Sequence, residues 1–133
     1  MSITGSCLCG EVQFEIIGDF ESFYLCHCKH CQKDTGSAHS SNLFSSSAQL
    51  IWHSGHDKIK IYQLPSTQHI KSFCSNCGSA LPNLQMNDSL LVVPAGSLDR
   101  ELSLMPNAHI FSDSRANWDR NLDRIFSYEK LPH

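Results

Sequence analysis

Seven cysteines fall into three tight groups, and this grouping constrains the chain more than any other feature. Cys7 and Cys9 form C-x-C followed by Gly10. Cys74 and Cys77 form C-x-x-C followed by Gly78. Between them stands Cys26-His27-Cys28-Lys29-His30-Cys31, a C-x-C-x-x-C segment with no glycine after it. A structural zinc takes four ligands in a closed tetrahedron, whereas a three-ligand site keeps one position for water or substrate. The two outer pairs supply four thiolates and the middle group three. The expectation is one Zn²⁺ that braces the fold at Cys7, Cys9, Cys74 and Cys77, and a second, which can be vacant, at Cys26, Cys28 and Cys31.

The glycines support the outer pairing. A cysteine pair wrapped on a metal must turn its backbone back so that amides face the sulfurs, and glycine permits the positive φ this requires. The pairs lie more than sixty residues apart, so a shared ion would close a long loop. Two plainer readings are four core cysteines and disulfides; free thiols without a secretory leader favour metal.

In the middle group, a helix from Cys28 to Thr35 closed by Gly36 puts Cys28 and Cys31 on one face, with Cys26 entering just before it. A helix start also lowers thiol pKa. Three thiolates leave Zn²⁺ a poor Lewis acid, better suited to exchanging a fourth sulfur than to making hydroxide. That points to a small thiol substrate and to carbon–sulfur bond chemistry. Three other readings stay open. Cys28 and Cys31 could be a redox pair with Cys26 resolving, a histidine (His27, His30 or His39) could close the site, or the site could be vestigial. A non-catalytic, zinc-braced β binding module is the broader rival. His27 and His30 are also candidate proton carriers.

Composition bounds the rest. The 133 residues fit one domain, taken as 1–133, and 41% apolar content excludes disorder. Seven thiolates and two Zn²⁺ would shift the formal charge of −3 to about −6, which argues against nucleic acid. No apolar run approaches the ~20 residues of a membrane span. The start lacks a secretory pattern, so a reducing cytoplasm is expected. Strand patterns recur at Val12–Ile16, Gln49–Trp52, Ile59–Ile61, His69–Phe73 and Leu90–Val93, with a weak helical pattern over Ala116–Ile125. The fold class expected is mainly β and antiparallel.

Several segments together resemble one family. Gly5-Ser6-Cys7-Leu8-Cys9-Gly10 with Val12 and Phe14 is similar to its opening. Cys26-His27-Cys28 with Cys31-Gln32-Lys33 matches its central segment, and Phe73-Cys74-Ser75-Asn76-Cys77-Gly78-Ser79 its second zinc knuckle. Ala95 to Asp99, Pro106, His109-Ile110-Phe111 and Trp118 resemble its C-terminal part. The family is that of the glutathione-dependent formaldehyde-activating enzymes and centromere protein V. The resemblance implies a β-tent fold of antiparallel sheets around a structural zinc, with one short helix near the second metal. It implies Cys7, Cys9, Cys74 and Cys77 as structural ligands and Cys26, Cys28 and Cys31 as catalytic ligands. It also implies a lyase-type condensation of formaldehyde with glutathione to S-(hydroxymethyl)glutathione. The stretch Ser37–Ser47 is more polar than the resemblance leads one to expect. Lys29 and Lys33 are the lysines nearest the open site in sequence, though as solvated surface residues they need have no role.

Overall fold

The computed structural model describes residues 2–132. It is mainly β, with ten strands and one α-helix. Strands β1 (Ser2–Ser6), β2 (Gln13–Ile17) and β5 (Gln49–Ser54) form an antiparallel three-stranded sheet in the order β1-β2-β5. Strands β3 (Ser22–Cys26), β4 (Ser40–Ser45), β8 (Asn83–Gln85), β9 (Leu90–Pro94) and β10 (Ala108–Ile110) form a second sheet in the order β10-β3-β4-β9-β8. Within it only β10 and β3 run parallel. Strands β6 (Ile59–Gln63) and β7 (Ile70–Cys74) make a separate two-stranded ribbon. Helix α1 (Lys29–Thr35) follows β3 directly.

Alternation in β2 buries Phe14 and Ile16 on one face, as the period-2 pattern requires. Leu91, Val92 and Val93 of β9 are all buried because that strand sits between β4 and β8. Phe14, Ile16, Leu91 and Val93 join Ile3, Val12, Phe23, Leu43 and Leu81 in one core cluster. Cys7 and Cys74 belong to the same cluster, so the metal-ligand candidates are anchored in the most densely packed region.

Two expectations are corrected. The segment Ala116–Ile125 is not an α-helix: Asn121 takes a positive φ of 53°, leaving a single 3₁₀ turn at Leu122–Arg124. Strand β6 buries its apolar face only at Ile59, which packs against the core cluster, while Ile61 is 67% exposed because the strand pairs only with β7. The polar stretch from Ser37 also proves to contain a strand, β4, at the centre of the larger sheet. Its C-terminal turn is set by Glu21, whose carboxylate accepts from the Ser46 amide and hydroxyl, both at 2.7 Å. Among the described residues, no helix is long and apolar enough to cross a membrane.

Candidate functional site

The fold brings Cys7, Cys9, Cys74 and Cys77 together, with all four sulfurs within 4.8 Å of one another. Cys7 leaves the end of β1 and Cys74 is the last residue of β7, so the group joins two separate sheets. The local turns are alike. Gly10 and Gly78 take φ of 81° and 80°, the conformation read from the sequence. Gly10 N–H donates to the Cys7 carbonyl at 3.0 Å, and Gly78 N–H to the Cys74 carbonyl at 2.7 Å. The Val12 amide donates to Cys7 Sγ at 3.3 Å. Ser79 braces both knuckles, with its Oγ accepting from Leu8 N–H at 2.8 Å and lying 3.3 Å from Cys77 Sγ.

The four thiols are electrostatically unequal. Burial pushes Cys7 up to about 11. The Ser79 hydroxyl and amide, with the Cys9 amide, bring Cys77 down to about 5. Cys9 is also lowered, chiefly by Asn76 and the Glu11 amide. One member of the group is thus a thiolate near neutrality while the buried one keeps its proton until a cation displaces it.

The middle group also converges. Cys26 ends β3, Cys28 caps α1 and Cys31 sits in its first turn. Their sulfurs lie within 4.8 Å of one another. Cys28 has extended backbone (φ −65°, ψ 157°), and its Sγ accepts from the Cys31 amide at 3.3 Å. The helix stops at Gly36, which has φ of 66° and donates to the Gln32 carbonyl. Burial raises Cys31 and Cys26 above the ordinary thiol value. Burial acts upward on Cys28 too, but the amides of Cys31 and His30 and the neighbouring thiols outweigh it and hold that sulfur low.

No histidine joins either sulfur group among the described residues. His27 is fully buried and faces away from its cysteine neighbours. Its Nε2 lies 2.8 Å from His109 Nδ1 and its Nδ1 lies 3.3 Å from Asp119 Oδ2. Arg115 Nη2 stands 3.0 Å from His109 Nδ1 and 3.4 Å from His27 Nε2. Burial, with the Arg115 charge, lowers the His27 pKa and keeps the ring neutral. The Asp119 carboxylate stands beside His27 Nδ1 without a hydrogen bond to it, so the ring's closest hydrogen-bond contact within the cluster is the one between Nε2 and His109. His39 packs edge-on against the same ring at 5.0 Å, and His30 lies 5.8 Å from His69 on the other side of α1.

The donor sets fit zinc. Tetrahedral thiolates at ~2.3 Å from an ion are ~3.8 Å apart, within the spread of both groups before any contraction. The N–H groups on Cys7 and Cys28 Sγ favour the thiolate form the metal needs. Four sulfurs can close one shell; three leave the other shell one donor short.

A cleft of about 230 Å³ borders Cys26 and Cys31. Its remaining walls include Ser41 and Asn42 of β4, Asn83 and Gln85 of β8, and Asp34, His69 and Lys71. The polarity of the Ser37–Ser47 stretch is thereby explained, because β4 lines this cleft. Lys29 and Lys33 are exposed and do not line it. The cleft's cation is Lys71, which no spacing in the sequence links to the cysteines, since it arrives from β7. Its Nζ donates to Asp34 Oδ1 at 2.7 Å and to the Asp34 carbonyl at 2.9 Å.

A family model described as glutathione-dependent formaldehyde-activating enzyme matches residues 2–114. The chain belongs to this family. A Halomonas elongata protein named "Putative glutathione-dependent formaldehyde-activating enzyme" is 31% identical over 142 aligned positions, covering 96% of this chain and 88% of that one. The crystal structure of a Rhodobacter sphaeroides protein has the same fold, with a TM-score of 0.60 at 20% identity, covering 80% of this chain and 99% of the other. Both cysteine groups lie inside the span shared with the formaldehyde-activating family. Arg115 and Asp119, which close the His27 cluster, lie just beyond it.

Proposed function

We propose that residues 1–133 form one catalytic unit that makes and breaks a carbon–sulfur bond on a small thiol. The reaction is formaldehyde plus glutathione giving S-(hydroxymethyl)glutathione, and its reverse. The thiol sulfur bonds to the carbonyl carbon, and the thiol's proton ends on the former carbonyl oxygen, so atoms balance without an added oxidant or reductant. The observation that carries this reading is the convergence of Cys26, Cys28 and Cys31 at the edge of a cleft, with no fourth His, Cys, Asp or Glu donor in the group among the described residues. The names of the family and of the Halomonas relative support the choice of substrates.

Cys26, Cys28 and Cys31 would hold the catalytic Zn²⁺, and Cys7, Cys9, Cys74 and Cys77 the structural one. Bound there, zinc supplies a thiolate-preferring coordination position that stabilises the substrate sulfur as its anion. The protein's own contribution is placement. Strand β3 and helix α1 fix the three sulfurs, while Asn42, Asn83 and Gln85 present amide donors and acceptors to the rest of the thiol. His27 acts from behind by holding the turn between Cys26 and Cys28. The ring is fully buried, with Nε2 against His109 and Nδ1 beside Asp119, and so does not face substrate.

Exchange spectroscopy of formaldehyde with glutathione tests the assignment. The metal-loaded protein accelerates interconversion with the adduct, and Cys28→Ser abolishes the acceleration. No acceleration by fully loaded wild type removes the substrate assignment and leaves the fold intact.

A further inference from the structure

The chain beyond the family-matched span carries an apolar strip that the core does not use. Trp118, Leu122, Ile125, Phe126, Tyr128 and Leu131 are 43–78% exposed within fourteen consecutive residues. The strip is presented from a pinned backbone. Ala116 is buried, and Asp119 lies 3.4 Å from Arg115 Nε as well as against His27. Further along, Arg124 N–H donates to Asn121 O and Ile125 N–H to Leu122 O, and the rings of Phe126 and Tyr128 meet edge-on at 4.7 Å. A segment already ordered in this way loses little further entropy on docking.

Area and charge identify the occupant. Three aromatic side chains of ~150–250 Å² each, at these exposures and with three aliphatics, offer roughly 700–800 Å² of apolar surface. Summed residue by residue, that area is comparable to the ~800 Å² each partner gives to a standard interface. The charges along the strip come as acid–base neighbours, Asp119-Arg120, Asp123-Arg124 and Glu129-Lys130, all exposed except the half-buried Asp119. Two copies related by a two-fold axis can set each acid against a base, which is the self-complementarity an isologous interface needs. The same pairs cancel, so the strip has no net attraction for nucleic acid or an anionic membrane.

We propose that Trp118–Leu131 is the interface of a homodimer, in which this strip of one copy covers the same strip of a second. Sedimentation equilibrium on the intact, metal-loaded chain tests it against the double variant Ile125→Asp/Phe126→Asp and, separately, Leu131→Asp. All three positions are exposed, so both variants keep the fold and the metal content, checked by circular dichroism and metal analysis. Wild type sediments at twice the chain mass at micromolar concentration, and the dimer of each variant dissociates at least tenfold more readily. A monomeric wild type overturns the proposal, as does a variant dimer as tight as wild type. Binding of monomeric wild type to phosphatidylserine-containing vesicles, lost in the variants, overturns it in favour of a lipid surface.

Discussion

Lys71 Nζ donates to Asp34 Oδ1 at 2.7 Å, and this contact joins the two cysteine centres mechanically. Asp34 lies three residues after Cys31 on α1, and Lys71 three residues before Cys74 on β7. His69 adds a second link, with Nε2 2.7 Å from Asp34 Oδ2. The carboxylate is only 16% exposed, so it is a bridge through the cleft wall rather than a solvated surface pair.

Removing the bridge should destabilise the protein and loosen the three-cysteine centre. Asp34→Ala strands the Lys71 ammonium in a partly buried place, at a cost of about 1–3 kcal/mol. Urea denaturation at fixed zinc reads the loss, and chelator competition reads faster metal release from Cys26, Cys28 and Cys31. Release from the four-cysteine centre stays slow. Unchanged release from the three-cysteine centre would disconnect Asp34 from it.

Asp119 should matter to a centre that it never touches. Asp119→Ala removes the carboxylate that stands 3.3 Å from His27 Nδ1 and 3.4 Å from Arg115 Nε, at a cost of about 1 kcal/mol. The turn between Cys26 and Cys28 then relaxes. Cobalt(II) loaded at the three-cysteine centre reports this as a changed thiolate-to-metal absorption band, while Asp119→Asn, which keeps an acceptor, restores most of it. A band identical to wild type in Asp119→Ala would show that His27 needs no anchor.

His27 should make stability fall on mild acidification. Its pKa in the folded chain is lowered by burial from an ordinary value of about 6.5. Between the two values the unfolded chain takes up a proton that the folded chain refuses, so stability drops as pH falls through about 6.5 and levels off once the folded-state value is passed. An NMR titration of the His27 ring in the folded chain gives a midpoint below that of an unfolded histidine. A midpoint above it would reverse the sign of this contribution.

Zinc uptake at Cys7, Cys9, Cys74 and Cys77 should release fewer than four protons at pH 7. Cys77, at about 5, is already a thiolate, whereas Cys7, at about 11, must give up its proton. Calorimetry in buffers of different ionisation enthalpy counts the protons. Ser79→Ala, which removes the hydroxyl beside Cys77, raises the count toward four. A count of four in wild type would refute the thiolate assigned to Cys77.

Much of the grouping of the cysteines was legible in the sequence because it is local. C-x-C-G and C-x-x-C-G encode their own turns, and the positive φ of Gly10 and Gly78 follows from steric limits on other residues. The Cys28–Gly36 helix is equally local, with its cap residues at both ends. What stayed hidden depends on long-range packing. Lys71, His69, Asn83 and Gln85 reach the cleft from β7 and β8, with no periodicity linking them to Cys26 or Cys31. His27, His109, Arg115 and Asp119 meet across more than eighty residues. Strand β4 escaped because the serines and Asn42 that line the cleft erase the apolar alternation of an ordinary strand. Ala116–Ile125 misled for another reason: the positive φ of Asn121 breaks the backbone there and leaves only a 3₁₀ turn.

Native mass spectrometry of the zinc-loaded chain and of Cys28→Ser tests the central claim most directly. Two sulfur groups predict two zinc ions per wild-type chain and one in Cys28→Ser, with the fold retained because Cys7, Cys9, Cys74 and Cys77 are untouched. A single zinc in wild type, or two that persist in Cys28→Ser, would contradict an open metal centre at Cys26, Cys28 and Cys31.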